Sequence, residues 1–449
     1  MGTAAEAARQ LPGWPYSAPD EVEAAVRVLE SGKINYWTGD EGRQFEREFA
    51  EQAGCKYGVA LANGTVALEL ALFAADLRRE PQINQNRRQE EKQNLTTEAR
   101  RHGEGSEPQA RVPPPQQARR SLGTPVPVPH EEGVGEVITA SRTFVASASC
   151  AVMRGMKPVM ADVDSESQNV TAETIRAALT PRTKAIIAVH LAGWPCDMDP
   201  ILELARKHEL LVIEDCAQAH GATYKGKPVG SLGHVAAFSF CQDKIMTTGG
   251  EGGMLATNDE QSWERAWAFK DHGKSYDAVY RREHAPGFRW LHESFGTNWR
   301  LTEVQSALGR AQLKKLPKWV AERRRNAGIF TDAFLRLPAL RVTAPGPDFG
   351  HSYYKYYAFV RPQALKKGWS RDRLVTEIND RGVPCFSGSC SEIYLEKAFT
   401  DEMRPKWRLP VAKDLGETSL MFLVHPTLSE DDVRWMAKVA AEAVREATA

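Results

Sequence analysis

Short apolar segments alternate with amphipathic segments through the middle of this 449-residue chain, and this alternation restricts its fold more than any other feature. Residues 185–193 (AIIAVHLAG) and 210–215 (LLVIED) have the composition of buried strands, and residues 199–209 between them have helical spacing. Such alternation is typical of an α/β fold with a mostly parallel sheet between helices. Further helices are predicted at residues 64–77 and 171–180, and further strands at residues 135–140, 235–240 and 252–258.

The pattern changes after about residue 310. Residues 313–337 predict one long charged helix that begins or is interrupted at Pro317, and residues 353–362 predict an aromatic strand. Two more amphipathic helices are predicted at residues 372–382 and 430–448. We therefore expect a large α/β domain over residues 1–310 and a smaller α+β domain over residues 311–449.

Residues 78–132 differ from the rest of the chain in composition. These 55 residues contain eight prolines and no aromatic residue, and only nine of them are hydrophobic. Such a segment cannot bury enough apolar surface to offset the entropy of ordering it, so we predict a disordered insertion. The net charge of the whole chain is zero, which argues against a strongly basic nucleic-acid-binding protein.

The candidate chemistry begins with an aspartate and a lysine. Asp215 ends the predicted strand at 210–215, and α/β proteins bind ligands at the carboxyl ends of their strands. Lys244 lies in the segment 239–253 (SFCQDKIMTTGGEGG), between a predicted strand and a glycine-rich turn, where an amine suits Schiff-base formation. Taken singly, Asp215 could be a helix cap and Lys244 a solvated loop residue. Together they form the pair that a pyridoxal phosphate site requires.

A phosphate site is predicted beside this pair. Gly64 and Thr65 open the predicted helix at 64–77, where backbone N–H groups and a hydroxyl can bind a phosphate. Ser239 offers a second hydroxyl five residues before Lys244. Thr65 alone could be a plain helix cap, but the combination, in this chain order, predicts a pyridoxal phosphate site.

The sequence resembles the DegT/DnrJ/EryC1/StrS family of sugar aminotransferases. The resemblance covers residues 20–448 apart from the insertion, and it is carried by residues 37–72, 141–164, 185–201, 212–240 and 296–313 and by the Lys244 segment. It implies the fold-type-I architecture of aspartate aminotransferase, with a mostly parallel seven-stranded sheet in a large domain and a small α+β C-terminal domain. The insertion is the departure from the family, since a short turn occupies this position there.

The resemblance also implies the roles of the residues that would bind the cofactor. Lys244 would form the Schiff base with pyridoxal phosphate and later move a proton, and Asp215 would pair with the pyridine nitrogen. Gln218 would contact the 3′-oxygen of the cofactor. The phosphate would be held by Gly64, Thr65 and Ser239.

Three further roles follow from the resemblance. Phe144 would stack on the cofactor ring, although it could also be an ordinary core aromatic. Asn298 resembles an asparagine that reaches the phosphate from the partner subunit, which implies a homodimer with shared active sites. His351 resembles a histidine that contacts a nucleotide-sugar, with a structural surface histidine as the alternative.

The predicted function is transfer of an amino group, with glutamate as the implied donor, to a nucleotide-linked keto-sugar. Lys244 favours this reaction over that of the related dehydratases, which have histidine there. Two alternatives stay open: a keto-inositol acceptor, as in aminocyclitol aminotransferases, and a non-catalytic regulator that binds pyridoxal phosphate. The seven cysteines include no CxxC pair, and no apolar run approaches the roughly 20 residues that span a bilayer. We therefore expect a cytoplasmic protein without metal, membrane or nucleic-acid partners.

Overall fold

The computed structural model describes residues 9–75, 135–284, 287 and 289–449. The strands are Tyr57–Leu61 (β1), Glu136–Ala140 (β2), Lys157–Ala161 (β3), Thr183–Val189 (β4), Leu211–Asp215 (β5), Thr223–Tyr224 (β6), Lys227–Pro228 (β7), Val235–Ser239 (β8), Gly253–Thr257 (β9), Leu340–Val342 (β10), Phe349–Gly350 (β11), Tyr356–Val360 (β12), Cys385–Phe386 (β13) and Ser419–Phe422 (β14). The predicted insertion at residues 78–132 lies outside the described residues.

Helices connect most of these strands. They are Pro19–Ser31 (α1), Glu41–Gln52 (α2), Gly64–Ala74 (α3), Ala146–Met153 (α4), Ala172–Ala178 (α5), Met198–Lys207 (α6), Glu260–Lys270 (α7), Tyr276–Tyr280 (α8), Glu303–Leu313 (α9), Leu316–Phe334 (α10), Arg371–Asp380 (α11), Pro410–Thr418 (α12) and Glu430–Ala447 (α13). Among the described residues, none of these helices is both long and apolar enough to cross a bilayer.

The central sheet has seven strands in the order β1-β9-β8-β5-β4-β2-β3. The neighbours from β8 to β3 pair in parallel, whereas β9 pairs antiparallel with both β8 and β1. The predicted α/β fold with a mostly parallel sheet is confirmed. The reversal of β9 has a simple cause: residues 240–252 connect β8 to β9 without the helical crossover that a parallel return requires.

A second, antiparallel sheet has the order β10-β12-β14-β13. It forms a separate apolar core with α10, α11 and α13, in which Phe330 and Phe334 pack on Tyr356 and Phe422. This C-terminal unit therefore has its own buried residues, as expected for the predicted small domain.

The long helix α10 takes part in both cores. Leu316 and Val320 near its start belong to a core cluster of the central sheet, and Ala327 to Phe334 belong to the C-terminal core. The predicted boundary at residues 310 and 311 falls inside α9, which packs on α1 and α2. The division into domains at that point stays a prediction.

The helix predicted over residues 313–337, which begins or is interrupted at Pro317, corresponds to α10. α9 ends at Leu313, and α10 begins at Leu316 with Pro317 in its first turn. Proline suits this position because the first backbone N–H groups of a helix have no partner within it. Pro317 therefore begins a helix and does not interrupt one.

Candidate active site

The carboxyl ends of β5 and β8 bring the predicted site residues together. Asp215 is the last residue of β5 and Ser239 the last residue of β8, and the two strands pair in parallel. Lys244 follows in the loop that leaves β8. A lysine, a carboxylate and a hydroxyl thus lie at one edge of the sheet, where α/β proteins bind their ligands.

Asp215 is buried and held by two hydrogen-bond donors. Its Oδ2 accepts a hydrogen bond from Ser147 Oγ at 2.7 Å, and its Oδ1 accepts one from the backbone nitrogen of Ala217 at 3.1 Å. Burial raises the pKa of Asp215, although these two donors and the charge of Lys244 oppose the shift. A carboxylate in this environment favours a cationic partner, because a positive charge offsets its desolvation.

Lys244 lies close to an acidic and an aromatic side chain. Its side chain is 16% exposed, and its Nζ lies 3.7 Å from Asp243 Oδ1 and 4.9 Å from the ring centroid of Tyr354. The hydroxyl of Tyr354 donates a hydrogen bond to Asp243. The backbone oxygen of Lys244 accepts a hydrogen bond from Trp14 Nε1 at 2.8 Å. These contacts position the lysine from three separate parts of the chain.

The start of α3 lies directly against the end of β8. Asn63 caps the helix, since its side-chain oxygen accepts a hydrogen bond from the nitrogen of Val66 at 3.0 Å. A Cβ atom at Gly64 would lie only 2.5 Å from Cβ of Ser239, so this approach requires glycine. The arrangement places the first backbone N–H groups of α3 beside the hydroxyls of Thr65 and Ser239. Together these groups form a set of donors suited to a phosphate.

Gln218 is buried close to the same strand ends. Its side-chain oxygen accepts a hydrogen bond from the backbone nitrogen of Ala192 at 2.8 Å. This contact fixes the amide plane and leaves the side-chain nitrogen as a donor. Gln218 could therefore contact an oxygen of a bound cofactor, as predicted.

Phe144, Asn298 and His351 lie in different environments. Phe144 is 67% exposed at the start of the α4 region, so it is not a core aromatic, and Asn298 is exposed in an isolated bridge with Asp271. His351 is buried and stacks on Tyr353 with ring centroids 3.7 Å apart. Burial lowers the pKa of His351 to about 3. The alternative of a surface histidine is therefore wrong, and the predicted sugar contact stays a prediction.

Sequence reasoning missed the groups that support these residues. Ser147 was not predicted to contact Asp215, and its place three residues after Phe144 was the available signal. Arg142 was missed as well. Its buried guanidinium donates hydrogen bonds to the side chains of Gln168 at 3.0 Å, Ser391 at 2.8 Å and Ser419 at 3.2 Å, and so joins the end of β2 to the C-terminal unit.

His190, Glu214 and Cys216 form a compact buried group whose potential ligand atoms lie within 4.8 Å of one another. The Glu214 carboxylate lies 3.0 Å from His190 Nε2 and accepts hydrogen bonds from three backbone nitrogens between residues 230 and 233. His190 Nδ1 accepts a further hydrogen bond from the nitrogen of Cys196 at 2.9 Å. The His190 ring and the Glu214 carboxylate thus already have hydrogen-bond partners, so we interpret the group as a hydrogen-bonded part of the core.

Comparisons with known proteins show the family of this chain. The sequence profile of the DegT/DnrJ/EryC1/StrS aminotransferase family matches residues 15–83 and 130–440. The chain is 33% identical to GDP-perosamine synthase of Caulobacter vibrioides over 88% of this chain and 89% of the relative. It is 30% identical to the spore coat polysaccharide biosynthesis protein SpsC of Bacillus subtilis over 96% and 97%, respectively.

A solved structure supports the same relationship. The aminotransferase from Psychrobacter cryohalolentis superposes with a TM-score of 0.84 at 51% sequence identity, covering 98% of this chain and all of the other. The family profile, the relatives and the solved structure agree, and the chain belongs to the DegT/DnrJ/EryC1/StrS aminotransferase family.

Proposed function

We propose that this aminotransferase binds pyridoxal phosphate and transfers an amino group from glutamate to a nucleotide-linked keto-sugar. The observation that carries the proposal is the convergence of buried Asp215, Ser239 and Lys244 at the carboxyl ends of β5 and β8. Members of this family depend on pyridoxal phosphate, and the donors in this chain fit the group.

Each part of the cofactor has a matching group in the chain. The N-terminus of α3, with Thr65 and Ser239, would hold the phosphate, and Asp215 would keep the pyridine nitrogen protonated. The side-chain nitrogen of Gln218 would donate to the 3′-oxygen, and Phe144 would cover the ring. When bound, pyridoxal phosphate supplies an aldehyde that takes up the amino group and a ring that accepts electrons from the substrate carbon.

Lys244 would hold the cofactor and move the proton at the substrate carbon. A general acid or base must lie within reach of the reacting proton, and the contacts of Lys244 with Asp243, Tyr354 and Trp14 fix its position. Asp215 and Lys244 are therefore the residues that we propose as catalytic.

A sugar acceptor is supported by the names of the relatives. One is a GDP-perosamine synthase, whose name denotes a GDP-linked sugar, and the other takes part in spore coat polysaccharide biosynthesis. No contact in this site favours the keto-inositol alternative over a nucleotide-linked sugar.

We also propose that the protein is a homodimer with shared sites. Phe144, Trp290 and Phe295 are 67%, 91% and 100% exposed, respectively, and Asn298 is exposed nearby in sequence to the latter two. Exposed aromatic side chains of this kind are enriched where proteins associate. A second copy of this chain would cover them and bring its Asn298 to the phosphate.

Incubation with pyridoxal phosphate, glutamate and a panel of nucleotide-linked keto-sugars and keto-inositols tests the function. We expect release of 2-oxoglutarate with a keto-sugar and loss of activity in Lys244→Ala, with Lys314→Ala, at an exposed lysine, as the matched control. Turnover of keto-inositols alone, or cofactor binding without any turnover, would contradict the proposed reaction.

A further inference from the structure

A cavity of about 300 Å³ lies behind the loop that carries Lys244. The N-terminal segment closes one side with Trp14, and the C-terminal unit contributes Lys355 and His425. Asp243, Arg323 and Tyr354 complete the polar part of its lining. The cavity therefore adjoins the proposed site and shares Trp14, Asp243 and Tyr354 with the surroundings of Lys244, whereas Arg323, Lys355 and His425 have no role in that site.

Arg323 brings a buried positive charge with unused donors. The side chain is 1% exposed, and its Nη1 donates to the backbone oxygens of Tyr353 and Tyr354 at 3.4 Å and 3.2 Å. Its Nε and Nη2 have no hydrogen-bond acceptor among the described residues. A guanidinium buried with two unpaired nitrogens is costly, and the cost falls when an anion binds nearby.

Lys355 adds a second positive charge. Its Nζ lies 4.7 Å from the ring centroid of Tyr354, the same ring that contacts Lys244. Burial, together with the positive charges of Arg323 and Lys244, lowers the pKa of Lys355 to about 8. Burial is the largest cause of this shift, and the charge of Asp243 opposes it, so Lys355 is a poorly solvated cation.

The charges of the cavity do not cancel. Among the described residues that line it, Asp243 is the one acidic side chain, and it faces Lys355 and Arg323. His425 also lines the cavity, and burial with the charges of Arg323 and Lys355 lowers its pKa to about 3, so it is neutral at pH 7. At pH 7 the two cations Arg323 and Lys355 therefore face one carboxylate, and the lining carries a net positive charge.

The size of the cavity limits what can enter it. Ligand pockets commonly measure about 300–1,000 Å³, so this cavity, at about 300 Å³, is at the lower end. A nucleotide-linked sugar needs much more room, whereas a small organic acid fits. The charge and the size together select a small carboxylate.

We propose that this cavity binds a carboxylate group of the amino donor, with Lys355 and Arg323 as the cationic partners. The inference rests on the proposed function, since it assigns a binding site to the amino donor of that reaction. Lys355 and Lys244 lie against one Tyr354 ring, so a donor held at Lys355 would be close to the reactive amine. The sugar acceptor would bind outside this cavity.

Binding of glutarate tests the proposal, because this dicarboxylate has no amine and cannot react. Calorimetric titration of the wild-type holoenzyme is compared with Lys355→Met, with Lys355→Arg, which keeps the charge, and with Lys367→Met at an exposed lysine. We expect glutarate to bind at least about tenfold more weakly to Lys355→Met, equivalent to about 1.4 kcal/mol. Lys355→Arg and Lys367→Met should stay within about threefold of wild type, well under that threshold.

Steady-state kinetics show whether the cavity binds the amino donor or the sugar acceptor. In Lys355→Met the KM for glutamate should rise about tenfold or more while the KM for the sugar stays unchanged, matching the loss of glutarate affinity. A rise in the KM for the sugar instead, or unchanged glutarate binding, would overturn the proposal.

A second experiment uses the wild type in case Lys355→Met fails to fold. Inorganic sulfate should then compete with glutarate for the cavity, and absence of competition would overturn the proposal equally. Glutarate binding without any transamination would reject the proposed function and leave the cavity assignment standing.

Discussion

The Nζ atom of Lys244 lies 4.9 Å from the ring centroid of Tyr354, and the hydroxyl of that ring donates a hydrogen bond to the adjacent Asp243. The ring therefore contacts the cation directly and also orients the nearest carboxylate. Burial opposes ionisation of Asp243, but Lys244 and the Tyr354 hydroxyl hold its pKa below the ordinary value. Tyr354, which packs in a core cluster of the central sheet, thus contacts two neighbours in the loop after β8.

Two substitutions of Tyr354 separate its ring from its hydroxyl. Tyr354→Phe keeps the ring beside Lys244 and removes one donor from Asp243, so we expect a small loss of kcat and a higher pKa for Asp243. Tyr354→Leu also removes the cation–π contact, worth roughly 0.5–2 kcal/mol, and should lower kcat a further 2- to 30-fold or so. Steady-state kinetics over a pH series measures both effects. Equal kcat values in the two variants would exclude a role for the ring.

Ser147→Ala should weaken cofactor binding. The substitution removes a hydrogen bond of 2.7 Å to buried Asp215, and the carboxylate then has fewer groups that favour its charged form, so its pKa rises. Hydrogen bonds to charged groups contribute roughly 1.5–3 kcal/mol, so the Kd for pyridoxal phosphate should rise by about one to two orders of magnitude. Fluorescence titration of the cofactor-free protein measures the change. Ser149→Ala, in the same helix, is the matched control and should bind as wild type does.

Arg142→Met should uncouple the end of β2 from the C-terminal unit. The change removes the donors that reach Gln168, Ser391 and Ser419 and leaves these groups buried. We expect the free energy of unfolding to fall by about 2–4 kcal/mol and the cofactor to bind more weakly, because Phe144 follows two residues later. Urea unfolding and cofactor titration measure the two effects. Arg373→Met, at an exposed position, is the control.

Glutarate affinity should fall as the pH rises above about 8. The pKa of Lys355 is lowered to about 8, so its ammonium is present below this pH and is lost above it. The groups that face Lys355 are Asp243, Arg323 and Lys244. The pKa of Asp243 is below its ordinary value, so this carboxylate stays ionised, whereas burial lowers the pKa of Arg323 to about 9. Calorimetry from pH 7 to 9.5 should show up to a tenfold loss per pH unit. In Lys355→Arg the affinity should stay level up to about pH 8 and fall only at the upper end of the range, where Arg323 loses its proton.

His220→Phe should make the protein more resistant to acid. His220 is buried among Phe49, Phe238 and Phe240, and burial lowers its pKa to about 3. Its stabilising neutral form is fully present above the unfolded pKa of about 6.5, and stability is lost as the pH falls towards 3. The variant should therefore lose about 1.4 kcal/mol less per pH unit between pH 6 and 4. Urea unfolding at each pH measures this slope, and an unchanged slope would contradict the burial argument.

The sheet could be predicted because its strands are short, apolar and regularly spaced. Residues 210–215 and 235–240 correspond to β5 and β8, and Asp215 lies at the predicted end of its strand. The reversal of β9 was not predicted, although the short Lys244 loop was a usable signal. A helix would have been needed to bring the chain back for parallel pairing.

The contacts that support the site residues could not be predicted from the sequence, because they join distant parts of the chain. Ser147 and Asp215 are 68 residues apart, and Tyr354 is 111 residues from Asp243. A local pattern can predict that a lysine follows a strand. It cannot predict which aromatic ring from a distant part of the chain packs on that lysine. Arg142 was missed for the same reason, since its partners near residues 389 and 419 come from the C-terminal unit.

Helix α3 extends away from the proposed site. It begins at Gly64, against Ser239, and ends at Ala74, and the family profile has no match for residues 84–129 farther along the chain. A helix of 11 residues is about 16 Å long, so its last turn lies far from the phosphate donors at its first turn. The first turn must keep its glycine and its free N–H groups, whereas the last turn can accept a change in loop length without moving the phosphate donors. The helix thus acts as a rigid spacer, so that a change in chain length at one end leaves the geometry of the phosphate donors at the other end unchanged.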